Sequence, residues 1–186
     1  MCSKCDFQSL ETEVNIEIHK VFQWLNSNKL TLNIAKSKFM IISNSKSKPE
    51  RFQISLNDSQ LEECDKYKYL GVIIDKNLSW KPHVEYISGK ISKACGALAK
   101  LRHCIGTNVL VEIYHALIHS YVRYGILAWG AETETTLKPL QTLLNKALRI
   151  ITFAPFGRVD VEPLYKELFI LDVGDTFILK TCKFMY

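Results

Sequence analysis

Residues 67–82 read YKYLGVIIDKNLSWKP and mark the point at which the pattern of the chain changes. Tyr67 to Ile74 is rich in aromatic and β-branched residues, which favours a β-strand. Two further strands are predicted upstream, at Lys38 to Ile42 and at the alternating segment Phe52 to Leu56. Downstream, Pro82 suits the first turn of a helix. The sequence therefore predicts a boundary near residue 79, with strands before it and helices after it.

Helices are predicted on both sides of this boundary. Before the strands, apolar residues from Leu10 to Leu25 recur at steps of three and four, which is one face of a helix. After the boundary, the same spacing predicts four helices, at residues 82–104, 107–121, 136–151 and 162–169. We therefore expect an α+β fold, in which a small antiparallel sheet with one packed helix is followed by a helical bundle.

Composition limits the class of protein. The 186 residues are 47% hydrophobic and 23% charged, which is typical of a globular domain and excludes collagen, coiled coil and wholesale disorder. The apolar stretches are much shorter than the roughly 20 residues that span a bilayer, and no secretory signal is recognisable. Six irregularly spaced cysteines are typical of reduced thiols. We expect an intracellular protein, nuclear or cytoplasmic, with no membrane partner.

Positive charge is concentrated in two segments. Residues 29–51 and residues 76–104 each carry six basic residues and one acidic residue. In the second segment Lys90, Lys93 and Lys100 project within about one quadrant of the predicted helix, roughly opposite its apolar stripe. Such a ridge can follow the phosphates of a duplex, although the same layout also suits an ordinary solvated helix face.

Candidate metal ligands are few. Cys2 and Cys5 have half of a zinc-ribbon spacing, and His115 and His119 share one helical face. Neither pair is completed by further ligands at a matching spacing, so we expect a structural role and no metal site, and a zinc-binding module is the weakest interpretation. The sequence contains no Asp-Asp or Asp-x-Asp pair, so no two-metal carboxylate site is visible.

Several motifs occur together in an order that resembles a known family. Residues 24–38, WLNSNKLTLNIAKSK, closely resemble the segment after the catalytic aspartates in reverse transcriptases of non-LTR (LINE-type, jockey-like) retrotransposons. Residues 67–75, followed by Leu-Ser-Trp-x-x-His at 78–83, look like the primer-grip strand and its junction with the thumb. Residues 114–149 and 163–171 resemble the helical region that follows the palm in those polymerases.

The resemblance implies a domain organisation and partners. Residues 1–79 would be the end of the palm with the primer-grip hairpin, 80–155 the helical thumb, and 156–186 a post-thumb helical segment. The expected partners are an RNA template with a DNA primer, and the upstream palm and fingers. The family's catalytic aspartates would lie upstream of position 1, so this chain alone is expected neither to polymerise nor to need a cofactor, whereas the complete polymerase would use Mg²⁺.

The resemblance also implies roles for single residues. Lys36 would lie near the departing pyrophosphate as a proton donor or charge stabiliser, or would be a solvated lysine in a turn. Tyr69, Leu70 and Gly71 match the primer grip. There Gly71, without a Cβ, would let the backbone approach the primer terminus, or would form a bulge in a hairpin. The lysines on the helix after the boundary would face the template–primer backbone.

A different class of function stays open at this point. The chain would then be a non-enzymatic retroelement remnant that acts as a protein-interaction or nucleic-acid-binding module. In that case an apolar surface, normally covered by the rest of the palm, would bind a partner.

Overall fold

The computed structural model of the chain describes residues 7–42, 52–56, 59–155, 157 and 160–186. Within them, one helix and six short strands come first and a group of helices follows, which confirms the predicted α+β class with a helical bundle. The elements are α1 (Phe7–Ser27), a 3₁₀ turn (Ile34–Lys36), β1 (Lys38–Phe39), β2 (Ser55–Leu56), β3 (Ser59–Gln60), β4 (Glu62–Glu63), β5 (Lys66–Tyr69), β6 (Val72–Asp75), α2 (Lys81–Leu101), α3 (Thr107–Tyr114), a π-helical turn (His115–His119), α4 (Ser120–Arg123), α5 (Ile126–Trp129), α6 (Glu134–Thr152), α7 (Glu162–Glu167) and α8 (Val173–Met185).

The chain divides into two compact units. The first unit comprises residues up to 67 together with 75–78, and the second comprises 68–74 together with 79–186. The tip of the β5–β6 hairpin therefore belongs to the helical unit. The functional partition predicted at residues 79 and 155 stays a prediction.

Backbone and amide hydrogen bonds connect the elements of the first unit. Strands β1 and β4 pair in parallel, and β2 and β3 pair antiparallel. Helix α1 contacts the β2 segment through one amide, because Asn15 donates to the carbonyl of Gln53 at 3.0 Å and accepts from the backbone N–H of Ser55 at 2.9 Å. Among the described apolar side chains of this unit, only those of Ile54 and Leu56 are buried.

The strands differ from the predicted single antiparallel sheet in two ways. Within the described residues they form three separate two-stranded pairs, and β1–β4 is parallel, which the long connection between those two strands permits. The strand predicted from Tyr67 to Ile74 is interrupted at Leu70 and Gly71, whose φ angles are +45° and +87°. A connection of two residues makes β5 and β6 an antiparallel hairpin.

The helical unit carries a continuous apolar core. Helix α2 buries Val84, Ile87, Ile91, Cys95 and Leu98, which meet buried residues of α3 and α6. The core residues contributed by the other elements are Leu110, Tyr114, Ile118, Val122, Ile126, Trp129, Leu140, Leu144, Ala147, Leu148, Ile150, Ile151, Leu164, Ile170 and Val173. No helix in the described part of the chain is both long enough and apolar enough to cross a membrane.

Candidate nucleic-acid interface

The exposed side of α2 carries the three predicted lysines. Lys90, Lys93 and Lys100 are all exposed, whereas the opposite side of the helix is buried in the core. We call these three residues the lysine face. Among the described residues, none of them takes part in an ion pair, so their charges are available to an anionic partner.

A fourth lysine extends this charge to the hairpin. Lys68 of β5 donates from Nζ to the phenol oxygen of Tyr86 on α2 at 2.9 Å. The ammonium groups of Lys68 and Lys90 lie 4.5 and 5.7 Å from the centre of the Tyr86 ring. The hydrogen bond from Lys68, and the charges of both lysines to a smaller degree, lower the pKa of Tyr86. The hairpin and α2 thus share one positively charged surface.

The tip of the hairpin is exposed to solvent, and Tyr124 holds its backbone. Tyr69 is 60% exposed and Leu70 is 73% exposed. The hydroxyl of Tyr124 donates to the carbonyl oxygen of Leu70. A Cβ on Gly71 would lie 3.2 Å from the ring of Tyr124, so glycine here meets both the positive φ and the close approach of this ring. Contact of these residues with a primer stays a prediction.

The residues around Tyr124 hold it in place. The indole N–H of Trp129 donates to the carbonyl oxygen of Tyr124 at 3.1 Å. Gly125 follows with φ of +63°, and a Cβ there would lie 3.1 Å from Val72 of β6. The fully buried Trp129 therefore ties the hairpin support to the helical core.

A cavity of about 300 Å³ opens beneath the hairpin tip. Its lining residues are Gly71, His83, Tyr86, Ile87, Ser120, Tyr121 and Tyr124. His83 is 1% exposed, and its Nδ1 accepts from the backbone N–H of Ile73 at 3.3 Å. Burial lowers the pKa of His83, so this side chain is neutral at pH 7. The neutral ring then carries its proton on Nε2.

Lys36 lies in the first unit, in the 3₁₀ turn that Asn33 caps. The side-chain oxygen of Asn33 accepts from the backbone N–H of Lys36 at 3.1 Å. Tyr67 donates its hydroxyl to the carbonyl oxygen of Lys36 at 3.4 Å. The lysine side chain itself is exposed. These contacts fix the backbone of the turn, and a role near pyrophosphate stays a prediction.

The histidine pair forms a hydrogen-bonded chain. The Nδ1 atoms of His115 and His119 are 3.1 Å apart, and Nε2 of His119 is 3.3 Å from the hydroxyl of Thr176. Burial and the nearby positive charges lower the pKa of His119 to about 4. In the described ranges no three His, Cys, Asp or Glu residues are grouped so as to hold a metal ion. Cys2 and Cys5 lie outside those ranges.

Comparison with known proteins points to one group of polymerases. The chain is 31% identical over 107 residues to the RNA-directed DNA polymerase from mobile element jockey of Drosophila funebris, which covers 55% of this chain. It is 25% identical over 126 residues, 66% of this chain, to the jockey polymerase of Drosophila melanogaster. It is 28% identical over 111 residues to the probable RNA-directed DNA polymerase from transposon BS of Drosophila melanogaster. The resemblance to polymerases of non-LTR retrotransposons is confirmed.

The relationship covers part of those polymerases only. The chain spans 12 to 14% of the length of these three relatives. No protein-family model and no solved structure matches the chain. Because the match is partial, it does not by itself assign the activity of the complete polymerases to this chain.

Several residues of the interface were missed from the sequence. Tyr86 was not singled out, and Lys68 and Tyr121 were placed only in the primer-grip segment and in a predicted helix, because only folding brings the hairpin against α2 and α4. Two residues that carry the resemblance to non-LTR polymerases, His83 and Tyr124, were noted there without a role. The structure gives both of them contacts with the hairpin, through the Ile73 N–H and the Leu70 carbonyl.

Proposed function

We propose that this chain is part of an RNA-directed DNA polymerase of a non-LTR retrotransposon and holds the template–primer. The observation that carries the proposal is the surface formed by the lysine face and Lys68 next to the exposed hairpin tip. Four cations on one side of one unit match the regular negative charge of a nucleic-acid backbone. The core beneath them keeps α2 rigid, which favours a fixed distance between charges.

The chemistry of this surface is binding and not catalysis. Phosphoryl transfer by a polymerase requires carboxylates that hold two metal ions about 4 Å apart. We infer that the 186-residue polypeptide on its own does not extend a primer, and that Mg²⁺ and the catalytic carboxylates act in the complete polymerase. The partners proposed for this chain are an RNA–DNA hybrid and the remaining palm and fingers.

Salt dependence tests the proposal. Binding of an RNA–DNA hybrid should weaken steeply with salt, because each neutralised phosphate releases condensed counterions. The slope of log K against log salt is negative. The triple variant Lys90→Gln/Lys93→Gln/Lys100→Gln should reduce its magnitude by about 3, roughly one for each lysine. Fluorescence anisotropy over a series of salt concentrations measures this slope.

A matched control separates the effect of this surface from the effect of the protein's net charge. Lys138, Lys146 and Lys183 are also exposed and lie on α6 and α8 of the same unit. The variant with glutamine at these three positions has the same net charge as the lysine-face variant and should keep the original slope. Equal slopes for both triple variants would refute the assignment of the surface, as would affinity that does not depend on salt.

A second candidate function, protein interaction, is favoured by helix α1. None of its described side chains is buried, and Ile16, Val21 and Trp24 are each more than half exposed. An apolar helix surface of this kind is typical of a docking site. Sedimentation equilibrium tests this function. Self-association that rises with concentration, and that Val21→Ser and Trp24→Ser reduce, would support it over the first if the chain also fails to bind the hybrid.

A further inference from the structure

A histidine that lines the cavity beneath the hairpin tip, His83, has an unused hydrogen-bond donor. Because Nδ1 of His83 accepts from the Ile73 N–H, the proton of the neutral ring lies on Nε2. That nitrogen is buried and has no hydrogen-bond acceptor among the residues that the structure describes. A buried donor without an acceptor costs free energy, so an acceptor supplied from outside the chain would stabilise this arrangement.

The walls of the cavity favour a flat aromatic guest. Tyr86, Tyr121 and Tyr124 line it, and the ring of Trp129 packs against that of His83 at a centroid distance of 5.7 Å. Base–aromatic stacking is tolerant of sequence, since every base has a π-face. A cavity of about 300 Å³ is at the small end of ligand pockets, which suits a single base rather than a longer segment of strand.

The charges beside the cavity favour a phosphate next to this guest. Lys68 binds the hydroxyl of Tyr86, and Lys90 lies over the same ring, so two ammonium groups flank one wall. Nucleobases carry carbonyl oxygens and ring nitrogens, which are the acceptors that the His83 N–H lacks.

We propose that this cavity binds one unpaired nucleobase of a bound strand, with the adjoining phosphate on Lys68 and Lys90. The site rests on the proposed nucleic-acid binding and adds to it a preference for a strand with an unstacked nucleotide. His83 donates to the base, the tyrosines contact its faces, and the lysines bind the backbone beside it.

A pair of hybrids with equal charge tests the site. Two RNA–DNA hybrids carry one extra nucleotide in the DNA strand, which is adenine in one and an abasic residue in the other. The base-bearing hybrid should bind about tenfold more tightly, because only the stacking and hydrogen-bonding partner differs. Tyr121→Leu should remove this preference, so that the two hybrids bind this variant with equal affinity.

A tyrosine outside the cavity provides the control. Tyr67 is 39% exposed, close to the 37% of Tyr121, and does not line the cavity. Tyr67→Leu should therefore keep the tenfold preference. In ¹H–¹⁵N spectra of the imidazole, the Nε2–H signal of His83 should shift when the base-bearing hybrid is added and not when the abasic one is added. This measurement uses the unsubstituted protein, so a variant that misfolds does not affect it.

The outcomes separate this site from the wider function. Salt-dependent binding with equal affinity for the two hybrids would overturn the base site and leave template–primer binding intact. Loss of all hybrid binding would overturn both. Adenosine monophosphate that shifts the His83 Nε2 signal as strongly as the base-bearing hybrid at equal concentration would assign the cavity to a free nucleotide and overturn the strand assignment. An Nε2 signal of His83 that is the same in the free protein and with both hybrids, as a permanently bound water would cause, would also overturn the site.

Discussion

Replacement of Leu70 by asparagine should stabilise the helical unit. Leu70 and Gly71 both have positive φ, which is the signature of a type I′ hairpin turn. Asparagine followed by glycine is the preferred pair for that turn, whereas leucine has a Cβ that is crowded in the left-handed region. The present residue is therefore locally unfavourable for the turn that it occupies.

The size of the effect follows from two opposing contributions. The left-handed conformation costs a non-glycine residue roughly 1–2 kcal/mol, and asparagine relieves much of this cost. Leu70 is 73% exposed, so the substitution gives up only a small part of the roughly 1.5–3 kcal/mol that full burial of a leucine contributes. The net gain should be about 1 kcal/mol in the free energy of unfolding, or about 4 °C in Tm.

Thermal and urea denaturation followed by circular dichroism measure this gain. Leu70→Ala is the matched control, because it removes the same apolar atoms without improving the left-handed preference, and it should give no increase in Tm. Equal stability of the Asn and Ala variants would refute the reasoning about the turn. If the hairpin tip contacts nucleic acid, the Asn variant should also bind the RNA–DNA hybrid less tightly, despite its higher Tm.

Other predictions follow from single contacts. Gly130→Ala should destabilise the protein by about 1–3 kcal/mol in urea, since its Cβ would lie 2.6 Å from a backbone oxygen, whereas Gly89→Ala, with open space around it, should be neutral or stabilising by up to about 1 kcal/mol. Tyr124→Phe should cost about 1 kcal/mol and increase hydrogen exchange at residues 68–74, as the bond to the Leu70 carbonyl is lost. His119, with a folded pKa of about 4 against 6.5 unfolded, stays neutral in the fold while the unfolded chain takes up a proton, so stability should fall by about 3 kcal/mol from pH 6.5 to 4. His119→Gln should flatten that part of the pH profile, and an unchanged profile would contradict the assignment.

The long helices could be predicted from the sequence because their signals are local. Pro82 and the apolar spacing predicted a helix over residues 82–104, and α2 runs from Lys81 to Leu101. The helix predicted at 136–151 is α6, Glu134–Thr152, whose N-terminus is capped by the side chain of Thr133. Periodicity over several turns is the most reliable signal in a single sequence, since each turn repeats it.

Composition and periodicity did not predict the hairpin, which was expected only from the resemblance to the primer-grip segment, because its cause is distant in sequence. Tyr67 to Ile74 has the composition of one strand, and leucine is not a usual turn residue. The turn at Leu70 is held by the hydroxyl of Tyr124, which lies 54 residues away in the chain. Composition cannot reveal such a contact. The same limit applies to Asn15, whose amide hydrogen-bonds to the backbone of the β2 segment.

The candidate site divides in the same way. The lysine face was predictable, because three residues on one helix keep their relative directions whatever the helix packs against. The cavity was not, since its walls come from the hairpin, α2 and α4 together. His83 illustrates the difference. In the sequence it is only a motif residue, whereas its burial, its tautomer and its unused N–H follow from packing against Ile73 and Trp129.

The helical unit contains three locally unfavourable features, at the hairpin tip, in the cavity beneath it and along α2. Leu70 has a positive φ and is largely exposed, Nε2 of His83 has no acceptor among the described residues, and the lysine face concentrates like charges. The exposed apolar surface of Leu70, the unpaired N–H and the like charges would each be relieved by a nucleic-acid strand that brings an apolar base surface, base acceptors and phosphates. Departures from local preference are expected at functional sites, where stability is exchanged for binding. That one kind of partner would relieve all three is the physical argument for the proposed assignment of this surface to nucleic acid, against an incidental accumulation of lysines.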